Sequence, residues 1–346
     1  MSRALDQDVA ESLMASDPKA AFNDIVAALN SNASELLEIE FLWKGYPLPQ
    51  GCNVLLDGNS LGIPKTQLVQ AFVVARQIFF NCLKDLNEET VQDIRDSTAV
   101  ILLFDPEHIT AANARKRIIQ KLRTGPGHDF EAALKRELLV TDSFLTSRLH
   151  RHTKSPTLWG HRRWLLQLMK SMEMHHDIQH DLNTIVLVAA ERHPRNYYAW
   201  LHMRWLVKSF PLGSDLLDGP EESDMSKLTA VVKDWCLRYP GDTSGWSFLL
   251  FCFLSVESSK GAPVETASST CREVLALVES FQWTHESIWV FLRTLVATGV
   301  VDEDQLASFL RIIEANTAAH LDNPKTHGIL RTAREWCIDY SVQSER

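Results

Sequence analysis

The sequence predicts an all-α fold, a solenoid of about five helical hairpins with a period of roughly 44 residues, and three observations carry that prediction. A six-residue word, Trp-x-His-x-Arg-Trp, occurs twice in the same register, at Trp159–Trp164 and Trp200–Trp205, each time behind a short polar turn holding proline or asparagine. Weaker copies fall at matching distances on either side. Ala112, Trp246 and Trp289 stand in the first tryptophan's place, and the spacings from Ala112 onward are 47, 41, 46 and 43 residues. Between the words lie amphipathic stretches that stop just ahead of a proline, as Asp181–Arg192 does before Pro194 and Met225–Tyr239 before Pro240. Such a period holds two helices and two turns, and exceeds a heptad or a tetratricopeptide unit of about 34 residues.

Helix geometry explains the letters of the word. At about 100° per residue, Trp159, Arg163 and Leu166 share one stripe, and His161, Trp164 and Leu168 share the opposite one. A helix apolar on two faces suits an element sandwiched between neighbours in a stack. In the second copy Trp200 and Arg204 repeat the first stripe, and His202 and Trp205 begin the second. Trp159, His161, Arg163, Trp164, Trp200, His202, Arg204, Trp205, Trp246 and Trp289 are therefore expected to hold the repeats together. The two arginines should find carboxylate or carbonyl partners on adjacent helices, because an unpaired buried guanidinium is costly.

Residues 1–95 differ in character from 96–346, which form the repeat solenoid with its C-terminal capping helix. The first 60 residues hold nine acidic and three basic side chains, two short helical patterns at Val9–Ser16 and Ala20–Leu29, and a turn-rich piece at Tyr46–Gly51. Val54–Pro64 reads as an extended or loop segment, and Pro64 opens a strong helix running to about Leu83. Its glycines form neither GxGxxG nor a P-loop, which argues against nucleotide binding. The repeats start at Asp105. Second helices are expected over about 129–151, 264–281 and 303–319, longer loops at 213–224 and 257–265, and a capping helix over Ile329–Ser341.

Composition bounds the function. With 346 residues, 45% hydrophobic and 23% charged, the chain can bury a large core. A net charge of -9 argues against nucleic-acid binding, yet Arg148–Lys208 contains ten Lys and Arg against four Asp and Glu, a cationic stretch in an acidic protein. Six scattered cysteines without framework spacing, and an N-terminus without an apolar leader, point to a reducing, cytoplasmic setting. The longest apolar run, Trp246–Leu254, is far short of a membrane span, and the C-terminal S-V-Q-S-E-R is no prenylation box.

The repeated Trp-x-His-x-Arg-Trp, preceded by N-Y or S-P and spaced by roughly 44 residues over 105–300, resembles the repeat of the protein prenyltransferase alpha-subunit family. The lost Trp of the first copy, the lost His of the fourth and fifth, and the divergent segment carrying L61-G-I-P resemble the repeat-containing members more than the alpha subunits of farnesyltransferase or the Rab enzyme. The resemblance implies a right-handed superhelix and an alpha subunit, inactive alone. It further implies a heterodimer with a Rab-type beta subunit expected to supply zinc and the isoprenoid diphosphate site. The implied substrate is a protein with a C-terminal cysteine, a SNARE-type protein that can already carry a farnesyl group. Alpha subunits of this family carry a lysine near the diphosphate five places before the second-repeat Trp, here Lys154, while the tyrosine place two residues on holds Pro156. In the third repeat the active-site tyrosine matches Tyr197, and the adjacent histidine place holds Tyr198. No H-E-x-x-H, C-x-x-C or H-x-C pattern offers a zinc site in this chain, and His176 with His180 reads as a solvated helix face. Two other readings stand beside this one: a non-catalytic helical scaffold for another partner, and an alpha subunit of farnesyltransferase or geranylgeranyltransferase type I, against which the missing tyrosine at 156 counts.

Overall fold

The computed structural model describes residues 17–31, 34–83, 89–124, 130–210, 224–254 and 262–341. The pattern at Val9–Ser16 and most of the two predicted long loops lie outside the described residues. The chain divides into two compact units, Met1–Leu206 and Val207–Arg346, and the change of sequence character near residue 95 falls inside the first.

The first unit opens with helix α1 (Pro18–Asn30), whose Asp17 side chain accepts hydrogen bonds from the Lys19 and Ala20 amides. A small sheet follows: β1 (Glu38–Leu42), β2 (Leu55–Asp57) and β3 (Ser60–Pro64), in the order β1-β3-β2, with β1 parallel and β2 antiparallel to β3. The fold is thus mostly helical, as expected, with one element that an all-α reading leaves out. The physical reason lies in two short patterns: β1 alternates Ile39 and Phe41 with glutamates, and β2–β3 is a hairpin turning at Gly58-Asn59, where Gly58 has φ 58°. Ile39, Leu61 and Ile63 are fully buried. The sheet is tied to the helices by the Arg148 amide, which donates to Ile39 O (3.0 Å), and by the Leu37 amide, which donates to Ser143 Oγ (3.0 Å).

Helices α2 (Lys65–Cys82), α3 (Val91–Phe104), α4 (Ile109–Thr124), α5 (Phe130–Leu145) and α6 (Pro156–Ser171) come next. Then α7 (Ile178–Asp181) runs through a π turn (Leu182–Val186) into α8 (Leu187–Arg192), and α9 (Tyr197–Ser209) follows. The second unit contains α10 (Asp224–Arg238), α11 (Thr243–Leu254), α12 (Ala262–Phe281), α13 (Glu286–Ala297), α14 (Glu303–Ala319) and α15 (Pro324–Ser341).

The helices that carry the word are α4, α6, α9, α11 and α13, and the first four start alike, while α13 opens at His285 without a side-chain cap. A capping side chain four places before the word's first position accepts an amide hydrogen bond three residues on: His108 from Ala111, Ser155 from Leu158, Asn196 from Ala199 and Asp242 from Gly245. Helix α15 follows the same rule, with Asn323 accepting from Thr326, so it is a sixth copy with His327 in the tryptophan place.

The four tryptophans Trp159, Trp200, Trp246 and Trp289 are buried. Three of their indoles donate to the carbonyl six residues earlier: Trp159 to Thr153 O (2.9 Å), Trp246 to Pro240 O (3.1 Å) and Trp289 to Trp283 O (3.1 Å). The following repeat uses the same carbonyls. Asn196 Nδ2 donates to Thr153 O (2.7 Å), Ser287 Oγ to Pro240 O (2.6 Å), and Ser155 Oγ to Pro106 O (3.1 Å), six places before Ala112. Where α10 meets α11, a Cβ on Gly245 would overlap the Trp235 ring, so only glycine permits this close crossing.

Two outcomes follow from this packing. Trp200→Ala is expected to lower unfolding free energy by about 3–5 kcal/mol in urea titrations, and a loss under about 1 kcal/mol would mean that the indole is not packed between repeats. Gly245→Ala should cost about 1–3 kcal/mol through the forced shift of Trp235, read as a fall in melting temperature.

Candidate functional site

The word's polar letters sort into two sets, one buried and one surface. In the buried set, Arg162 is fully enclosed between two carboxylates. Its Nε and Nη2 donate to Asp142 (2.6 and 3.3 Å), its Nη1 and Nη2 donate to Asp181 (2.8 and 2.7 Å), and Nη1 also reaches His202 Nε2 (2.7 Å). A guanidinium can only donate, so His202 accepts through Nε2 and carries its proton on Nδ1. Burial, reinforced by the Arg162 charge, holds His202 well below the usual histidine range, and it stays neutral. One repeat earlier, Arg115 Nε and Nη2 grip Glu137 bidentately, each at 2.7 Å, and His161 Nε2 bonds the same carboxylate at 2.7 Å. Burial works against the Glu137 anion, but the Arg115 charge and the His161 hydrogen bond hold its carboxyl well below the ordinary range.

These contacts correct the assignment of the buried arginine. Arg163 is exposed, with its guanidinium 4.8 Å from the centre of the half-buried Trp205 ring, and Trp164, likewise half-buried, receives Lys116 at 5.7 Å. The last two letters of the word form cation–π contacts between consecutive repeats at the surface, whereas Arg162, three residues after Trp159, takes the carboxylate partners. Arg115 holds the same place after Ala112, and in the third copy that place is Met203. His161 and His202 are both buried, and Arg204 is half-buried. His176 is no solvated residue: its Nε2 bonds Asp181 at 2.7 Å, while His180 is exposed. Among the described residues no group of three or more His, Cys, Asp or Glu side chains is placed to hold a metal ion.

The surface set lies at the starts of α6 and α9. Lys154 occupies the turn directly before the Ser155 cap, is exposed, and among the described residues makes no ion pair or hydrogen bond. Its basic neighbours are engaged: Arg148 and Arg192 with Glu38 (3.7 and 3.0 Å), Arg151 with Asp105 (2.9 Å), Arg162 inside and Arg163 on Trp205. The structure adds two residues that the sequence did not single out. The rings of His150 and His193 meet edge to face at 4.2 Å, and His193 is lowered from the usual histidine value by burial and by the charges of His150 and Lys154. His193 Nδ1 is buried without a hydrogen-bond partner. No shared register marked either histidine, since they stand nine and seven places before their tryptophans. Tyr197 and Tyr198, in an edge-to-face pair (5.7 Å), are 61% and 37% exposed on the first turn of α9. An open lysine beside two imidazoles, at the positive start of a long helix, can hold an anion.

Capped helical hairpins joined through shared carbonyls define the chain as a helical repeat protein. It is similar, in particular, to proteins built on the prenyltransferase alpha-subunit repeat. The "Protein prenyltransferase alpha subunit repeat-containing protein 1" of Danio rerio is 27% identical over 216 residues, 56% of this chain and 46% of that protein. Its human counterpart is 26% identical over 226 residues, 59% of this chain and 50% of that protein. The aligned region thus spans about half the length of these relatives. A family profile, the ECM9 middle domain, matches residues 158–276. A chain of the solved structure "Candida albicans protein geranylgeranyltransferase-I complexed with GGPP" superposes with a TM-score of 0.47 and 16% identity, covering 86% of this chain and 95% of that one. Among the described residues no helix is long and apolar enough to cross a membrane.

The buried charges make a pH prediction. Burial pushes the Asp142 carboxyl up to about 6, more than Arg162 offsets, while Asp181, held by both Arg162 and His176, stays low. A raised folded-state value stabilises the fold below the unfolded value of about 3.9, and that contribution disappears as pH rises through about 6. Asp142→Asn removes this dependence. Its stability relative to wild type should therefore rise by on the order of 2–3 kcal/mol between about pH 4 and pH 7 in urea unfolding. A difference that stays constant across this range would show that Asp142 titrates normally.

Proposed function

We propose that this chain is the alpha half of a heterodimeric protein prenyltransferase. In this reading it supplies the cationic side of a cleft whose zinc and isoprenoid tunnel belong to a Rab-type beta subunit. The pair transfers a geranylgeranyl group to a cysteine of a SNARE-type protein, including one that already carries a farnesyl group. The reading brings with it the right-handed winding of hairpins that the resemblance implies. It is supported by the repeat shared with relatives named for prenyltransferase alpha-subunit repeats over about half their length. The observation that carries it is Lys154, which stands where the resemblance places a diphosphate-binding lysine and is left open while the surrounding arginines are engaged.

The chemistry fits that placement. As a cysteine thiolate attacks the isoprenoid carbon, the carbon–oxygen bond breaks and the departing diphosphate gains negative charge. A cation beside it lowers the transition state more than the bound donor. Lys154 is that cation, with His150 and His193 flanking it and Tyr197 and Tyr198 on the neighbouring helix start.

Purification with a Rab-type beta subunit, followed by single-turnover transfer from geranylgeranyl diphosphate, tests the reading. The chain alone should be inactive and the heterodimer active. Lys154→Ala should slow the single-turnover step by about tenfold to a thousandfold with thermal stability and beta-subunit binding intact. An unchanged rate would leave Lys154 a solvated turn residue. Activity only with the farnesyltransferase beta subunit would move the chain to the other branch of the family.

A further inference from the structure

Helices α1, α3, α4 and α5 of the first unit surround a cavity of about 10 Å³, room for one water or one ion of similar size. Three arginines line it: Arg95 from α3, Arg115 from α4 and Arg136 from α5. Two carboxylates lie close by, and both are engaged elsewhere. Glu137 gives both oxygens to Arg115 and one of them also to His161. Asp96, on the cavity wall, accepts the side-chain amides of Asn30 (3.1 Å) and Gln92 (2.8 Å) on a single oxygen.

That leaves two cations without a counter-charge in contact. Arg136 Nη2 donates to the neutral Asn30 Oδ1 at 2.9 Å, and among the described residues neither the Arg95 nor the Arg136 side chain makes an ion pair. Both are half-buried, where an unpaired charge is less well solvated than in water. Burial, and after it the charge of Arg115, lowers Arg95 from the usual arginine value, with Glu137 offsetting this in part and Arg136 adding to the repulsion. A guanidinium keeps its proton all the same. The cluster therefore carries three positive charges against two negative ones. A water in the cavity leaves that excess standing, whereas one monovalent anion cancels it.

We propose that this cavity is a chloride site, in which a single ion accepts N–H hydrogen bonds from Arg95 and Arg136. Guanidinium groups only donate and chloride only accepts, so the pairing leaves no group of the wrong kind facing the ion. Phosphate or sulfate, with four oxygens about a central atom, does not fit the space of one water. Bound there, chloride ties α3 to α5, and to α1 through the Asn30–Arg136 contact, so it stabilises the folded chain according to its occupancy. The proposal is independent of the transferase reading.

Chloride-35 NMR of the full chain tests it, because exchange with a protein-bound site broadens the line of the free ion. The excess width should titrate away with a half-point on the order of 10 mM chloride, and bromide should compete for it. Arg95→Gln and Arg136→Gln should each weaken binding by about tenfold or more, whereas Arg123→Gln on α4 should leave it unchanged. Neither Arg95 nor Arg136 holds a carboxylate, so both variants should keep the far-UV circular dichroism of the wild type. Replacing gluconate by chloride at constant ionic strength should raise the melting temperature of the wild type and of Arg123→Gln, and not that of Arg95→Gln. Absence of saturable broadening in the wild type overturns the proposal and leaves a water in the cavity. Broadening that persists in both Arg95→Gln and Arg136→Gln overturns it as well, and so does stronger competition by phosphate or sulfate than by bromide, since the ion would then sit elsewhere.

Discussion

Three pairs of consecutive repeats are joined through one backbone carbonyl, the one six residues ahead of the word's first position: Pro106, Thr153 and Pro240. A carbonyl oxygen has two lone pairs. At Thr153 and Pro240 one is taken by the repeat's own indole and the other by the start of the following repeat. Leaving such a buried acceptor unpaired would cost about 1–3 kcal/mol, so the tryptophan's depth and the next helix's position are set together. This ties the cap, the indole and the stacking of repeats into one condition, and explains why the turn before each word is more uniform than the helix after it.

The buried charges act differently. Arg162 satisfies its guanidinium with Asp142 of the preceding hairpin and Asp181 of its own, and reaches His202 of the next. An ion cluster of this kind adds little net stability over a well-packed apolar one, because desolvation offsets attraction. Its geometry, however, rejects alternatives, since a slip of one residue on any of the helices would strand a charge in the core. The cluster ends in the third copy, where Met203 stands at the equivalent place. Beyond it the second unit relies on aromatic contacts such as Trp246 with Phe291 and Trp289 with Phe309.

Much of this was legible in the sequence because the repeat states it several times. The word helices, the second helices and the burial of Trp159, Trp200, Trp246 and Trp289 follow from period and amphipathicity. Helix α15 as a sixth copy was harder to see, since its tryptophan place holds His327 and only the Asn323 cap survives. The arginine was misassigned because Arg163 and Arg204 share a letter and Arg162 and Met203 do not, yet shared identity here marks a surface cation–π contact. The place three after the tryptophan, common to Arg115 and Arg162, was the informative one. The parallel strand β1 pairs across a long connection that no local pattern announces, and His150 meets His193 only through the stacking of two turns.

The π turn at Leu182–Val186 has its own bearing on how this chain can change over time. Ahead of it, Asp181 must point at Arg162. Behind it, Ala189 offers its carbonyl to the Asn196 cap, and Arg192 reaches Glu38 on the sheet. A regular α-helix of the same residues could not serve both ends, and the one surplus residue takes up the mismatch. In a regular α-helix one added residue turns everything beyond it by about 100°, whereas here the wider turn absorbs the surplus and both ends keep their aim. Losing one residue at this turn would leave a regular helix with Asp181 and Arg192 still in register, so the chain's length can change by one here without moving either end.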